Sequence, residues 1–258
     1  MVRGLYTAAS GMLKGQKQMD IASNNLANAS TNGYKKDIAV SQSFHEMLTK
    51  RINDDSSQGQ PSRGGIGNMS LGSDIVQVFT DYTQGQLIHT NHLTDMSIKN
   101  SNFAFFSINV ADEQGEQEMY TRHGSFTVRQ DGYLTTRDGN EVLGFNGPVW
   151  VGTDNFMVQE DGSIYVDNMY IDTLKIMQFA DGEQLEKFGH NLVKAPEDAD
   201  IQPFSGQIAQ GHVEGSNINT VEEMVQIISV MRAYEANQKV VKAYDETLGK
   251  LVNEVGKV

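Results

Sequence analysis

The chain contains no cysteine, only four prolines and one tryptophan in 258 residues. Without cysteine there is no disulfide framework, no thiolate metal site and no thiol nucleophile. With so little proline, long helices can run uninterrupted, and none interrupts residues 221 to 255. No apolar run approaches the roughly 20 residues of a transmembrane helix, so membrane insertion is not expected. The start, Met1-Val2-Arg3-Gly4-Leu5-Tyr6-Thr7, lacks the apolar centre of a secretory signal. That suggests a cytoplasmic protein, or one exported by a system that reads other signals. Basic residues are outnumbered 20 to 33, giving a net charge of -13. A general nucleic-acid binder needs a basic face, so nucleic acid is not an expected partner. Gly-x-Ser-x-Gly and Gly-x-x-x-x-Gly-Lys-Ser/Thr motifs are also missing, which removes the commonest signatures of acyl and phosphoryl chemistry.

What is present lies at the two ends. Leu5, Ala8, Met12, Gly15, Met19, Ala22, Leu26 and Ala29 recur at alternating spacings of three and four, large and small side chains in turn. Met224, Ile227, Met231, Tyr234, Gln238, Val241, Asp245, Leu248, Val252 and Val255 follow the same rule, broken only by Gln238 and Asp245. A 3.5-residue stripe marks helices that wind around one another. The first helix should run from about Leu5 to Ala29 and stop at Asn32-Gly33. Gly4, Gly11 and Gly15 each weaken it by about 1 kcal/mol relative to alanine, so it should need a partner. The last helix should run from Val221 to Val255, with Thr220 as its cap and Glu223 completing a capping box. Val225, Ile228, Ala236 and Val240 lie off its stripe, a surplus of apolar surface that one partner helix cannot cover. Charge is uneven too: residues 1 to 50 hold six basic and three acidic residues, while the whole chain is strongly acidic.

From about Ile75 to Val213 the texture is all-β. Residues 103 to 110 form an apolar, β-prone run, and 125 to 129 alternate. Asp-Gly pairs at 131–132, 138–139, 161–162 and 181–182, with Asn-Gly at 146–147, suggest tight turns. The pattern fits either a sandwich or a barrel. Between the first helix and this region, Phe44, Met47, Leu48 and Ile52 could form a short helix. Residues 54 to 65 are polar, glycine-rich and aperiodic, the composition of a flexible insert.

Candidate sites are sparse. His89 and His92 are three apart, but a metal site needs more ligands. His123 beside Arg122 has no catalytic company. Scattered carboxylates leave a paired-acid hydrolase or carbohydrate-binding domain open, and the long last helix leaves an adaptor or chaperone open. No cofactor is expected.

The motifs themselves are similar to those of flagellar basal-body rod and hook proteins. Ser10-Gly11-Met12, Asn24-Asn25-Leu26-Ala27-Asn28 and Thr31-Asn32-Gly33-Tyr34-Lys35 resemble that family's N-terminal signature. Glu214-Gly215-Ser216-Asn217-Ile218-Asn219, Glu222-Glu223-Met224 and Arg232-Ala233-Tyr234-Glu235-Ala236-Asn237-Gln238-Lys239 resemble its C-terminal one. Tyr120 to Phe126 and Asp131-Gly132-Tyr133-Leu134 resemble its middle. The length, and the insert at about 50 to 73, resemble the distal-rod type, with the proximal-rod type as near alternative. The resemblance implies a structural protein, not an enzyme, of α+β class. Residues 1–33 and 221–258 would form a coiled-coil-like helical inner-tube domain. Residues 34–74 and 205–220, including the insert at 50–73, would connect it to a β-rich outer domain at 75–204. It further implies a helical homopolymer in the extracytoplasmic basal body. Other rod proteins, the hook protein and the flagellar type III export apparatus would be its partners.

Overall fold

The computed structural model describes residues 2–50, 65–112, 115–182, 185–189, 191–196 and 198–255. The protein is α+β: one N-terminal helix, a mostly β middle and one C-terminal helix. It divides into two compact units. One holds residues 1–24, 37–79 and 220–258, the other residues 25–36 and 80–219.

The first unit comprises α1 (Val2–Ala27), α2 (Thr220–Lys250) and a long two-stranded ribbon. Both helices differ slightly from expectation. Helix α1 stops two residues early, leaving Ala29 in the turn beyond it. Helix α2 takes in Thr220, which moves the cap position back to Asn219. A π-helical turn, Leu251–Val255, ends it. Glu222 and Glu223 in its first turn and Lys250 in its last complement the helix dipole.

The ribbon pairs Asp37–Ser43 with Ser73–Thr80, and Met47–Lys50 with Gly65–Met69. The short helix expected around Phe44 to Ile52 is not formed: residues 44–46 are irregular and Met47–Lys50 is a strand. A single Phe44, Met47, Leu48 set is too short to tell helical from extended spacing, and the partner strand decides it. Residues 51 to 64 of the insert lie outside the described residues. Thr7 donates to the Leu71 carbonyl at 2.9 Å, and Lys17 pairs with Asp74 at 2.9 Å, bracing the ribbon against α1.

The second unit is built of antiparallel strands. Its largest sheet centres on Ala104–Asp112, which pairs with Gly115–Thr121, Glu141–Gly144 and Ile176–Phe179. Alternation between two cores explains the apolar run noted above. Ala104, Phe106 and Ile108 point into the main core with Met96, Phe126 and Leu134. Phe105 points the other way, into a second core with Tyr82, Phe179 and Val193. A strand buried on both faces has no polar side to show. The glycines at 132, 139, 147 and 162 take positive φ in tight turns. Gly182 does not; it leaves room for Tyr82 and Phe103.

Candidate assembly surface

A stripe of small residues runs down α1: Gly4, Ala8, Gly11, Gly15 and Ala22. A Cβ at Gly4 would strike the Tyr244 hydroxyl, and one at Gly11 would lie 2.7 Å from Asn237 Nδ2. At Gly15 it would make ordinary contact with Val230 at 3.7 Å and Tyr234 at 3.9 Å. The partners occur in opposite order along the two helices. The glycines that weaken α1 by propensity are thus where α2 comes closest. The spacing Gly4-x3-Ala8-x2-Gly11-x3-Gly15 was the signal available for this stripe. Of the residues named from sequence on α1, Ala8, Gly15 and Ala22 are buried, while Leu5, Met12, Met19 and Leu26 are half-buried beside them.

Gly11→Leu should destabilise the helices. Better propensity stabilises by up to about 1 kcal/mol, but overpacking against Asn237 costs about 1–3 kcal/mol. Helical circular dichroism on heating should show a lower midpoint for Gly11→Leu and little change for Gly11→Ala. Equal midpoints for Gly11→Leu and the native chain would refute the close approach.

On α2 the inward residues are Glu223, Ile227, Val230, Tyr234, Asn237, Val241 and Tyr244, buried or half-buried. Their spacing is again four and three. Ile227, Tyr234 and Val241 belong to the stripe expected from sequence. Met224 and Met231 do not face inward: they are 51% and 47% exposed. The inward stripe takes Glu223 and Val230 in their place, positions a purely apolar criterion passes over. Val221, Val225 and Ile228, all more than half exposed, lie on the opposite side of the helix, with Met224 and Met231 on the flank between. Leu248 and Val252 continue the inward stripe at helical spacing. Gly4 already lies against Tyr244, so the register carries both past the start of α1, and Val252 is 71% exposed. Arg232, Glu235 and Ala236 are exposed. Helix α2 therefore carries two uncovered apolar surfaces.

The signature motifs of the second unit form a buried knot. Lys35 donates to Glu214 Oε1 at 2.5 Å and to the Thr83 carbonyl at 2.7 Å. Glu214 also accepts from the Gly85 amide at 2.9 Å and pairs with Arg122 at 3.6 Å. All three charged side chains are almost fully buried. Burial pushes the Lys35 amine and the Arg122 guanidinium below their usual ranges, while Glu214 opposes the shift in each. Gly33 donates to the Glu214 carbonyl at 2.7 Å. Its φ is +71°, and a Cβ there would lie 2.6 Å from the Arg122 backbone, so no other residue fits. Asn217 accepts from the Lys36 amide at 2.8 Å and donates to the Asp81 carbonyl at 2.8 Å. Ser216 accepts from the Ile218 amide. Asn25 is buried, Asn24 and Ala27 are exposed, and Asn28 accepts from Thr31. These motif residues hold backbone segments together; they do not converge on a reacting atom.

His123 adds a pH dependence. Burial, then the Arg137 charge, holds its imidazole below the usual value of 6.5. The unfolded chain therefore takes up this proton first as pH falls. Stability from this group is complete above about pH 6.5 and falls as pH drops toward the folded value. Urea midpoints of the native chain and His123→Asn should converge in mild acid; parallel pH profiles would count against this.

Three family models match the chain. "Flagella basal body rod protein" covers residues 5–35, "Flagellar hook protein FlgE/F/G D1 domain" covers 103–166, and "Flagellar basal body rod FlgEFG protein C-terminal" covers 209–254. Full-length relatives include the flagellar hook-basal body complex protein FlhO of Bacillus subtilis, 31% identical over all of both chains. The flagellar basal-body rod protein FlgG of Buchnera aphidicola from Acyrthosiphon pisum is 32% identical, covering 97% of this chain and 99% of its own. The flagellar basal-body rod protein FlgF of Caulobacter vibrioides is 28% identical over all of both.

Proposed function

Because the chain belongs to the flagellar basal-body rod family, a family of structural proteins and not of enzymes, we propose that it polymerises through its terminal helices into a hollow shaft. The shaft carries motor torque to the hook. In this reading α1 and α2 pair as a coiled coil and, with residues 1–33 and 221–258, make the wall of an inner tube. The β-rich residues 75–204 lie outside it, and 34–74 with 205–220 connect the two. The observation that carries the proposal is the apolar side of α2 turned away from its inward stripe, with Val225 61% and Ile228 52% exposed. Exposed apolar surface of this extent needs a partner, and identical copies supply one at every step of a helix.

The distal-rod role rests on the higher identity to the FlgG relative, 32% against 28% for the FlgF relative, and on the insert at 50–73. In this reading the insert lies between neighbouring copies and stiffens the shaft. Deleting residues 54 to 65 should alter rod rigidity or length; unchanged rods would refute that role. The partners are further copies, other rod proteins, the hook protein and the flagellar type III export apparatus. In this reading the subunit is exported by that apparatus and lies in the extracytoplasmic basal body. Electron microscopy of concentrated protein should show tubes or helical filaments. Dispersed particles at every concentration would refute polymerisation.

A further inference from the structure

His89 and His212 face each other across two antiparallel strands, Leu87–His89 and His212–Glu214. Their ring centroids are 4.6 Å apart and the planes meet at 71°. Directly opposed residues in such a ladder have Cβ atoms about 4.5–5.5 Å apart, close enough for two side chains to share one ligand. The His212 Nδ1 lies 2.9 Å from the Gln210 carbonyl oxygen. A carbonyl only accepts, so Nδ1 carries the proton and Nε2 keeps its lone pair. A backbone carbonyl fixing the far nitrogen is the arrangement that orients a metal-binding histidine. His89 is exposed and His212 half-buried, so solvent reaches the pair.

We propose that His89 and His212 form a surface site for one divalent transition ion, copper(II) above the others. An imidazole nitrogen holds such an ion at about 2 Å, and the two rings are near enough to share one. Among the described residues no group of three histidine, cysteine or carboxylate donors occurs. The protein therefore supplies only two nitrogens, too few for a resident structural ion, and water completes the shell of an exchangeable one. Imidazole nitrogens in a tetragonal shell favour copper(II), which also heads the stability order for such ligands. The site is independent of the assembly reading, since it needs only the folded β-rich unit.

Titration of the whole protein with copper(II) chloride in a non-chelating buffer tests this, with electron paramagnetic resonance of the complex. One equivalent should bind with nitrogen splitting in the spectrum. Losing a second-shell partner costs about 10–100-fold in metal affinity, so His89→Gln or His212→Gln should each weaken binding by about 100-fold or more. His92→Gln should leave it unchanged. Far-ultraviolet circular dichroism confirms that each variant is folded. No binding, or binding that survives both substitutions, would overturn the proposal and leave the rings as a simple packing contact.

Discussion

Glu214→Ala is expected to lower the unfolding free energy of the β-rich unit by about 3–5 kcal/mol, the cost of removing one partner from a buried ion pair. The loss has three parts. Lys35 and Arg122, both nearly inaccessible, would be left as buried cations facing each other. The Gly85 amide would lose its acceptor. The side chain of a fully buried residue would leave a hole. The same carboxylate ties the segment after α1 to the strand before α2, so the whole junction should loosen together. Trp150 is the one tryptophan and lies in this unit, so its fluorescence in urea reports the change. Glu214→Gln keeps the shape and an acceptor but not the charge, and should fall between. A Glu214→Ala midpoint within error of the native one would show that the trio contributes nothing to folding.

The pair of substitutions Val225→Asp and Ile228→Asp, made together, should abolish polymerisation while leaving the subunit folded. Both side chains are mostly exposed in the isolated chain, so two carboxylates there remain hydrated and cost little. In an assembled shaft the same positions would be covered. Each lost contact forfeits about 1.5–3 kcal/mol of apolar burial, and each carboxylate must also give up water without a partner. These penalties recur at every copy, so the effect on a polymer is total where that on a monomer is slight. Sedimentation should leave the double variant in the supernatant under conditions that pellet the native protein. The circular dichroism of the two should match. Co-sedimentation of the double variant would mean that this side of α2 faces solvent in the shaft.

Much of the fold was legible because the periods are long and the turns explicit. Twenty-five residues of α1 with a 3.5-residue stripe, and the Asp-Gly pairs between strands, leave few alternatives. The differences from expectation have local causes. At Phe44 to Ile52 four apolar residues fit two periods, and the strand that decides between them lies beyond a long insert. On α2, hydrophobicity favoured Met224 and Met231, but the inward side is set by what α1 can accommodate. Tyr244 and Asn237 sit against glycine, and Glu223 is buried, which hydrophobicity alone does not foresee. Gly4 and Gly11 read first as helix weakeners, because the value of their spacing depends on the second helix. The Lys35–Glu214–Arg122 trio was beyond reach: its members are far apart in sequence, and ionic residues in a strongly acidic chain ordinarily face water. The motifs around Gly33, Glu214 and Asn217 were visible as words, and only the fold explains them as a backbone fastening.

The absence of cysteine provides the most direct measurement. A single Ile228→Cys substitution places one thiol on the apolar side of α2, where its reaction with a maleimide can be timed in dilute subunits and again in assembled rods. If neighbouring copies cover that side, the thiol reacts quickly in the subunit and is strongly protected in the rod. Equal rates in both states would contradict the account, because the surface said to hold the shaft together would then lie open within it.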